Sequence, residues 1–173
     1  CLRVFKEDST LKEFPQPFLT KGGTPTAIFI VGKNAAVDDM IGITDIVASL
    51  QRYAGNNPFP NGLIKLDDQI TDEQLYNNDV VIIGGMCANN AAGKVYGFAS
   101  DCTSEDTPGV GKIRIMYNAA TGKSVLLVHG YSALDTTMAT RVLANWKDYN
   151  NLFKESSTIC VTGTLGNMIV KKC

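Results

Sequence analysis

Residues 79–90 read Asp-Val-Val-Ile-Ile-Gly-Gly-Met-Cys-Ala-Asn-Asn, an unbroken apolar run that stops at a glycine pair. A run without polar alternation predicts a strand buried on both faces, as in the middle of an α/β sheet. Residues 26–31 (Thr-Ala-Ile-Phe-Ile-Val) repeat the pattern and stop at Gly32. Gly84 and Gly85 mark a place where the backbone turns sharply or admits a close approach, and strand ends of this kind hold ligands in many α/β proteins.

Residues 35–52 carry Val37, Met40, Ile41, Val47 and Leu50 at helical spacing, with Ile43 and Ile46 widening the stripe. Asp38 and Asp39 fall in the first turn, where carboxylates suit the positive end of the helix dipole. Residues 53–61 form a Gly/Asn/Pro loop, 62–66 an edge strand, and 67–76 a polar turn with a short helix at 71–75. Residues 90–98 are weakly helical, and 99–110 form a loop holding Cys102. Two β-rich runs, 113–117 and 124–128, are joined by Asn-Ala-Ala-Thr-Gly-Lys, which is hairpin grammar. Ser132 opens a helix with Asp135 three residues on, in a capping-box-like pair. Its expected buried face is Leu134, Met138, Val142, Leu143 and Trp146, ending near Asp148. Two closing strands, 158–162 and 168–172, flank residues 163–167. Residues 1–25 are polar and proline-bearing, and read as an N-terminal arm with a strand at 2–5.

The expected fold is α/β: a mixed, mostly parallel sheet sandwiched by helices, with one β-hairpin and an N-terminal extended arm. Residues 26–173 form a single α/β domain. At 173 residues and 45% hydrophobic, the chain is long enough for one well-cored domain. Its net charge of −1 and scattered basic residues argue against a nucleic-acid partner. No apolar segment approaches the roughly 20 residues of a membrane helix. Without an initiator Met or signal peptide, the chain reads as a processed product or fragment.

The five cysteines, Cys1, Cys87, Cys102, Cys160 and Cys173, form no CxxC pair, and His129 is the only histidine. Zinc, haem and iron–sulfur spacing is therefore missing. An odd number in an oxidising compartment allows two bridges and one leftover thiol, which can pair between molecules. Cys1 and Cys173 sit at the chain ends with little to pack against, which favours linkage over burial. Cys87 and Cys102 are the expected intrachain bridge, closing about 15 residues and adding about 3 kcal/mol; the alternative is two buried thiols. The pairing of Cys1, Cys160 and Cys173 stays open, including an intermolecular link.

Other candidate chemistry is incomplete. Gly122-Lys123-Ser124 matches the tail of a phosphate loop, but Tyr117 stands where the first glycine belongs and the context is a hairpin. His129-Gly-Tyr-Ser-Ala133 places a serine on a strand-to-helix turn, yet a nucleophile elbow needs glycine on both sides. Helix capping is a sufficient role for Ser132. The turns at Gly32 and Gly84 could frame a crevice, with Lys33 its only charge and no acid or base to pair it. Asp38, Asp39, Asp67, Asp68, Asp72, Glu73, Asp101, Glu105 and Asp106 lack EF-hand spacing and read as solvated carboxylates.

Several stretches resemble a known family. Phe14-Pro-Gln-Pro-Phe-Leu19, Ala27-Ile-Phe-Ile-Val-Gly-Lys-Asn-Ala-Ala-Val-Asp-Asp39 and Ile43-Thr-Asp-Ile-Val-Ala-Ser-Leu50 are similar to the N-terminal α/β module of archaeal surface-layer (S-layer) proteins. Gly84-Gly-Met-Cys-Ala-Asn89 resembles that family's strand-end GGPCAN, with Met86 replacing the proline. Gly130-Tyr-Ser-Ala-Leu-Asp-Thr136, Arg141-Val-Leu-Ala144 and Val161-Thr-Gly-Thr164 resemble its final helix and closing strand. The match spans roughly residues 14–170.

The resemblance implies a secreted, non-enzymatic building block of a cell-surface array, without cofactor or metal, and with a Cys87–Cys102 pair. Members are usually several times longer, with β-rich lattice domains. A module standing alone, with an added arm and cysteines at both ends, implies an extracellular subunit whose partner is itself, polymerising into a filament or layer. Two rivals make different demands. A ligand-binding or enzymatic domain predicts an open crevice with convergent polar groups and a perturbed ionisable residue; structural use predicts that crevice filled by Met86, Asn89 and loop 99–110. A cell-wall-polymer-binding module predicts an exposed aromatic or basic groove.

Overall fold

The computed structural model describes residues 4–7, 10–55 and 57–173. Strands β2 (Ile28–Val31) and β4 (Val80–Ile83) bury every residue, as their continuous Ile/Val/Phe composition requires of strands covered on both faces. They pair in parallel, with Phe29 opposite Val81. Strand β3 (Ile64–Leu66) adds to β2, and β6 (Ser124–Gly130) adds to β4, both in parallel. From there the direction alternates: β5 (Gly111–Asn118) is antiparallel to β6, β7 (Thr158–Thr164) to β5, and β8 (Asn167–Lys172) to β7.

The order β3-β2-β4-β6-β5-β7-β8 is therefore parallel only in its first half, a correction to the expected mostly parallel sheet. The connections explain it. Residues 119–123 and 165–166 are too short for anything but hairpins, whereas a parallel return needs a crossover of about a dozen residues or more. Two hairpins close the sheet where one was expected.

Helices α1 (Val37–Ala54) and α4 (Ala133–Ala144) feed one core, and α2 (Asp72–Asn77) and α3 (Asn90–Tyr96) feed another. Alternate residues of β4 serve both. Val81 and Ile83 meet Ile43, Ile46 and Leu50 of α1 and Met138, Val142 and Leu143 of α4. Val80 and Ile82 meet Leu75, Val95 and Tyr96. After α4 come a 3-10 turn (Trp146–Tyr149) and a short helix, α5 (Asn150–Glu155), that the periodicity did not suggest.

Helix α1 buries Ile43, Ile46 and Leu50 as expected but turns the Val37, Met40 and Ile41 side of the expected stripe outward. Val37, Met40 and Ile41 are exposed, while Asp39, Gly42, Ile43, Ile46 and Leu50 are buried. Both stripes have helical period; Gly42 decides between them. A Cβ there would sit 2.8 Å from Thr140 Cγ2, so the glycine face is where α4 lies closest. On α4, Leu134 is likewise exposed rather than buried.

Residues 10–25 also depart from an extended arm. They run through consecutive turns, and Leu11, Phe14, Phe18 and Leu19 are buried in the larger core. The Leu11 amide donates to the Ser156 carbonyl and the Thr26 amide to that of Phe18. Strand β1 (Phe5–Glu7) pairs antiparallel with residues 116–118 of β5, beyond the stretch that β7 occupies. Of the strand expected at 2–5, Leu2 and Arg3 lie outside the described residues.

Candidate functional site

The strand ends above β2 and β4 are where α/β sheets hold ligands, so the site is built from there. Beyond Ile83 the chain turns through Gly84, whose φ of 103° is a left-handed conformation suited to glycine. The following turn folds back over β2. A Cβ on Gly32 would lie 1.8 Å from the Ala88 carbonyl oxygen, so Gly32 is required for backbone to rest on backbone. Asn89 caps α3 by accepting from the Ala91 amide. Its own amide donates to the carbonyls of Ile83 (3.0 Å) and Ile30 (3.4 Å), which are the ends of both strands. Asp67 clamps the same region, accepting from the amides of Lys33 (2.7 Å) and Asn90 (2.8 Å). Lys33, expected to be unpaired, forms an ion pair with Asp68 at 2.9 Å. The space above Gly32 is thus filled by the protein's own residues.

Loop 99–110 closes from the other side. Cys87 and Cys102 form a disulfide. Asp106 lies against Gly85, where a Cβ would be 2.8 Å from its Oδ2. Asp106 Oδ1 is 2.5 Å from His129 Nδ1, and the Tyr96 hydroxyl is 2.7 Å from His129 Nε2. The ring thus has a polar partner at each nitrogen, the Asp106 carboxylate at Nδ1 and the Tyr96 hydroxyl at Nε2. Burial pushes the Tyr96 phenol well above its ordinary range, keeping its proton in place. Arg114 donates to Glu105 at 3.0 Å and lies over the Tyr96 ring at 5.7 Å. His129, Tyr96 and Asp106 therefore act as a fully satisfied buried clamp on the loop.

The serine and phosphate-loop candidates are also engaged elsewhere. Ser132 is the N-cap of α4 in a reciprocal capping box with Asp135. Gly122 sits in the hairpin turn, its amide donating to the Asn118 carbonyl. Among the carboxylates considered for calcium, Asp72 pairs with Lys94, and Asp101 accepts from Thr103. Among the described residues, no group of three or more His, Cys, Asp or Glu is arranged so that it could hold a metal ion. Met86 points into the second core rather than into the crevice.

What remains at the strand ends is a cavity of about 120 Å³, lined by residues including Asp39, Gly84, Gly85, Cys87, Asp106 and Ser132. No family model and no curated protein matches this sequence. The cavity's chemistry therefore rests on its own residues, and Asp39 is the unusual one. It is 4% exposed, and its Oδ1 has no hydrogen-bond partner. Burial, and then the neighbouring Asp38, raise its pKa from 3.8 to about 6. A first-turn carboxylate was foreseen here, but as a solvated one. The signal was present: Asp39, Gly42, Ile43, Ile46 and Leu50 form one helical stripe, so the acid shares the buried face.

This predicts a stability effect with a definite sign. The folded chain holds the Asp39 proton more tightly than the unfolded chain, so its stabilisation is complete below the ordinary aspartate value near 4. It is lost as pH rises through about 6. Asp39→Asn should raise stability at pH 7 by about 2 kcal/mol, discounted from the full shift because the cavity opens to water. It should also flatten the pH dependence between about 4 and 6, as read by urea denaturation across that window; an unchanged profile would contradict the burial argument.

Two other hollows carry less chemistry. One, of about 490 Å³, lies between residues 10–21 and Ile115 and Ser124, and is lined largely by loop side chains. Another, of about 210 Å³, lies beside Arg52, Tyr53, Trp146 and Lys147. Its aromatic faces are already covered by the Lys147 ammonium, 5.0 Å from the Tyr53 ring and 5.8 Å from that of Trp146. Cys160 and Cys173 form the second disulfide, and Cys1 lies outside the described residues.

Proposed function

We propose that this chain is an extracellular structural subunit that assembles with copies of itself into a filament or layer at a cell surface. The observation that carries the reading is the cysteine arrangement. Cys87–Cys102 and Cys160–Cys173 account for four of the five cysteines. Disulfides persist in oxidising compartments, and two in a domain of this size fit a secreted protein. With those pairs made, Cys1 is the cysteine of this sequence left over, and an odd cysteine can bridge to another chain. The resemblance of residues 14–170 to archaeal surface-layer α/β modules supports the same reading. No described helix is long and apolar enough to cross a membrane.

The second reading, a ligand-binding domain, is favoured by the orphan carboxylate of Asp39. Its cavity of about 120 Å³ is well below the roughly 300 Å³ at which small-molecule pockets begin, which weighs against a nucleotide or sugar.

The test is electrophoresis with and without reductant, combined with electron microscopy of the purified protein. Expected are covalent dimers that vanish on reduction and in Cys1→Ser, and ordered filaments or sheets in the images. A dispersed monomer with one free thiol would overturn the proposal.

A further inference from the structure

We propose that Asn61–Gly62, in the turn before β3, is a site of spontaneous backbone modification. Asn61 converts there to isoaspartate and aspartate, and the isoaspartate form releases β3 from the sheet edge.

The chemistry starts from the sequence. Asn61 is the one asparagine of the chain that glycine follows. The Gly62 nitrogen and the Asn61 side-chain carbonyl belong to adjacent residues, so attack closes a five-membered ring at high effective concentration. A side chain on the attacking residue would crowd that ring, and glycine has none. A bond forms from the Gly62 nitrogen to Asn61 Cγ, and the Cγ–Nδ2 bond breaks. Ammonia leaves, carrying the proton of the Gly62 N–H. Water then opens the cyclic imide on either side of its nitrogen. Opening at Cγ gives aspartate; opening at the backbone carbonyl carbon gives isoaspartate, whose main chain runs through Cβ and Cγ. One water enters and one ammonia departs, with nothing oxidised or reduced.

The fold leaves this pair free to react. Asn61 and Gly62 are exposed, and nothing lies within 4 Å of where a Gly62 Cβ would be. Among the described residues, neither the Asn61 side chain nor the Gly62 N–H has a hydrogen-bond partner. The side-chain amides of Asn57, Asn78, Asn89, Asn118 and Asn145 instead donate to backbone carbonyls, which holds them in place.

What flanks the turn sets the consequence. On one side, the Phe59 ring packs on that of Phe29 with centroids 5.9 Å apart. On the other, the Leu63 carbonyl accepts from the Phe29 amide at 2.7 Å, and Ile64 stands opposite Phe29 in the pairing with β2. Residues 60–62 therefore bridge two anchors that both sit on Phe29. Isoaspartate inserts one more carbon into that bridge, about 1.5 Å of chain, so an anchor must shift. β3 is the anchor with less to hold it. It has three residues and a single neighbouring strand, and Ile64 is 46% exposed. Loss of β3 would uncover the edge of β2, whose apolar Ile28–Val31 run is the kind of edge that pairs with other chains. None of this depends on copies assembling.

The test follows the intact protein, disulfides in place, through warm incubation at mildly alkaline pH. Digestion and mass spectrometry, with fragmentation that separates isoaspartate from aspartate, read each asparagine. The Asn61 peptide should gain about one dalton, at least about tenfold faster than any other asparagine peptide, and should contain isoaspartate. Amide exchange in β3 should then be at least about fivefold faster in aged protein than in fresh. Aged Asn61→Gln should keep the fresh protein's exchange, and so should fresh Asn61→Asp, which adds the charge without the extra carbon. An Asn61 peptide that changes no faster than the others overturns the site. Unchanged β3 exchange in modified protein, or equal loosening in either variant, overturns the release of β3.

Discussion

Reducing both disulfides should remove about 6 kcal/mol of stability and lower the unfolding temperature by about 15 °C. The two bridges span 15 and 13 residues of sequence. Loops of that length, closed in the unfolded chain, are worth about 3 kcal/mol each. They lie in separate places, one at the end of β4 and one at the β7–β8 edge, so the contributions should add. A domain of this kind commonly has only 5–15 kcal/mol in total, so the reduced chain stands near the edge of folding. The 15 °C figure follows from a shift of roughly 2–4 °C per kcal/mol for chains of 150–250 residues.

Paired serine substitutions separate the two bridges. Replacing Cys87 and Cys102 should also loosen loop 99–110, seen as faster amide exchange around Asp106. Replacing Cys160 and Cys173 should affect only β7 and β8. Calorimetry with and without reductant checks the sum, and an unchanged transition would mean that neither bridge constrains the unfolded chain.

The parts of the fold that were legible in the sequence are those in which composition alone sets the environment. Residues 80–83 and 28–31 are continuous apolar runs because both faces of those strands are covered. The hairpin at 119–123 is announced by its length and its glycine. The Cys87–Cys102 pair was foreseen, and the structure also resolves the partner of Cys160, which sequence reasoning had left open.

Features decided by packing were hidden. The stripe bearing Val37 and the stripe bearing Ile43 are equally periodic, and only Gly42, through its contact with Thr140, selects between them. That choice also sets the fate of two adjacent acids, turning Asp38 outward and Asp39 inward. The site followed the helix face, and counting Val37, Met40 and Ile41 as part of that face obscured the place of Asp39 on it. Helix α5 escaped notice because Asn150 and Asn151 dilute its apolar signal, leaving Leu152 and Phe153 to pack.

Phe14→Ala should cost about 4 kcal/mol, within the range for deleting a core aromatic ring. Residues 10–25 have no helical or strand period and contain Pro15 and Pro17, so they read as an arm whose mutation would change stability by less than about 0.5 kcal/mol. The structure predicts otherwise. Phe14 is 7% exposed and meets Trp146 edge-on with centroids 5.4 Å apart, Phe153 at 5.7 Å and Phe18 at 6.1 Å. These rings join the N-terminal segment to the 3-10 turn after α4 and to α5, so deleting one leaves a cavity between three separate pieces of chain. Phe14→Leu keeps most of the volume and should cost under about 1.5 kcal/mol, which separates lost packing from any peculiarity of the segment's turns. Urea denaturation of both variants decides the matter. A loss near 4 kcal/mol makes residues 10–25 part of the domain's core, and anything within 0.5 kcal/mol restores the arm. The outcome also bears on assembly, because a segment worth 4 kcal/mol to its own domain is a poor candidate for lending to a neighbour. Under the proposed self-assembly, the contact between copies would then fall to surfaces that are already finished.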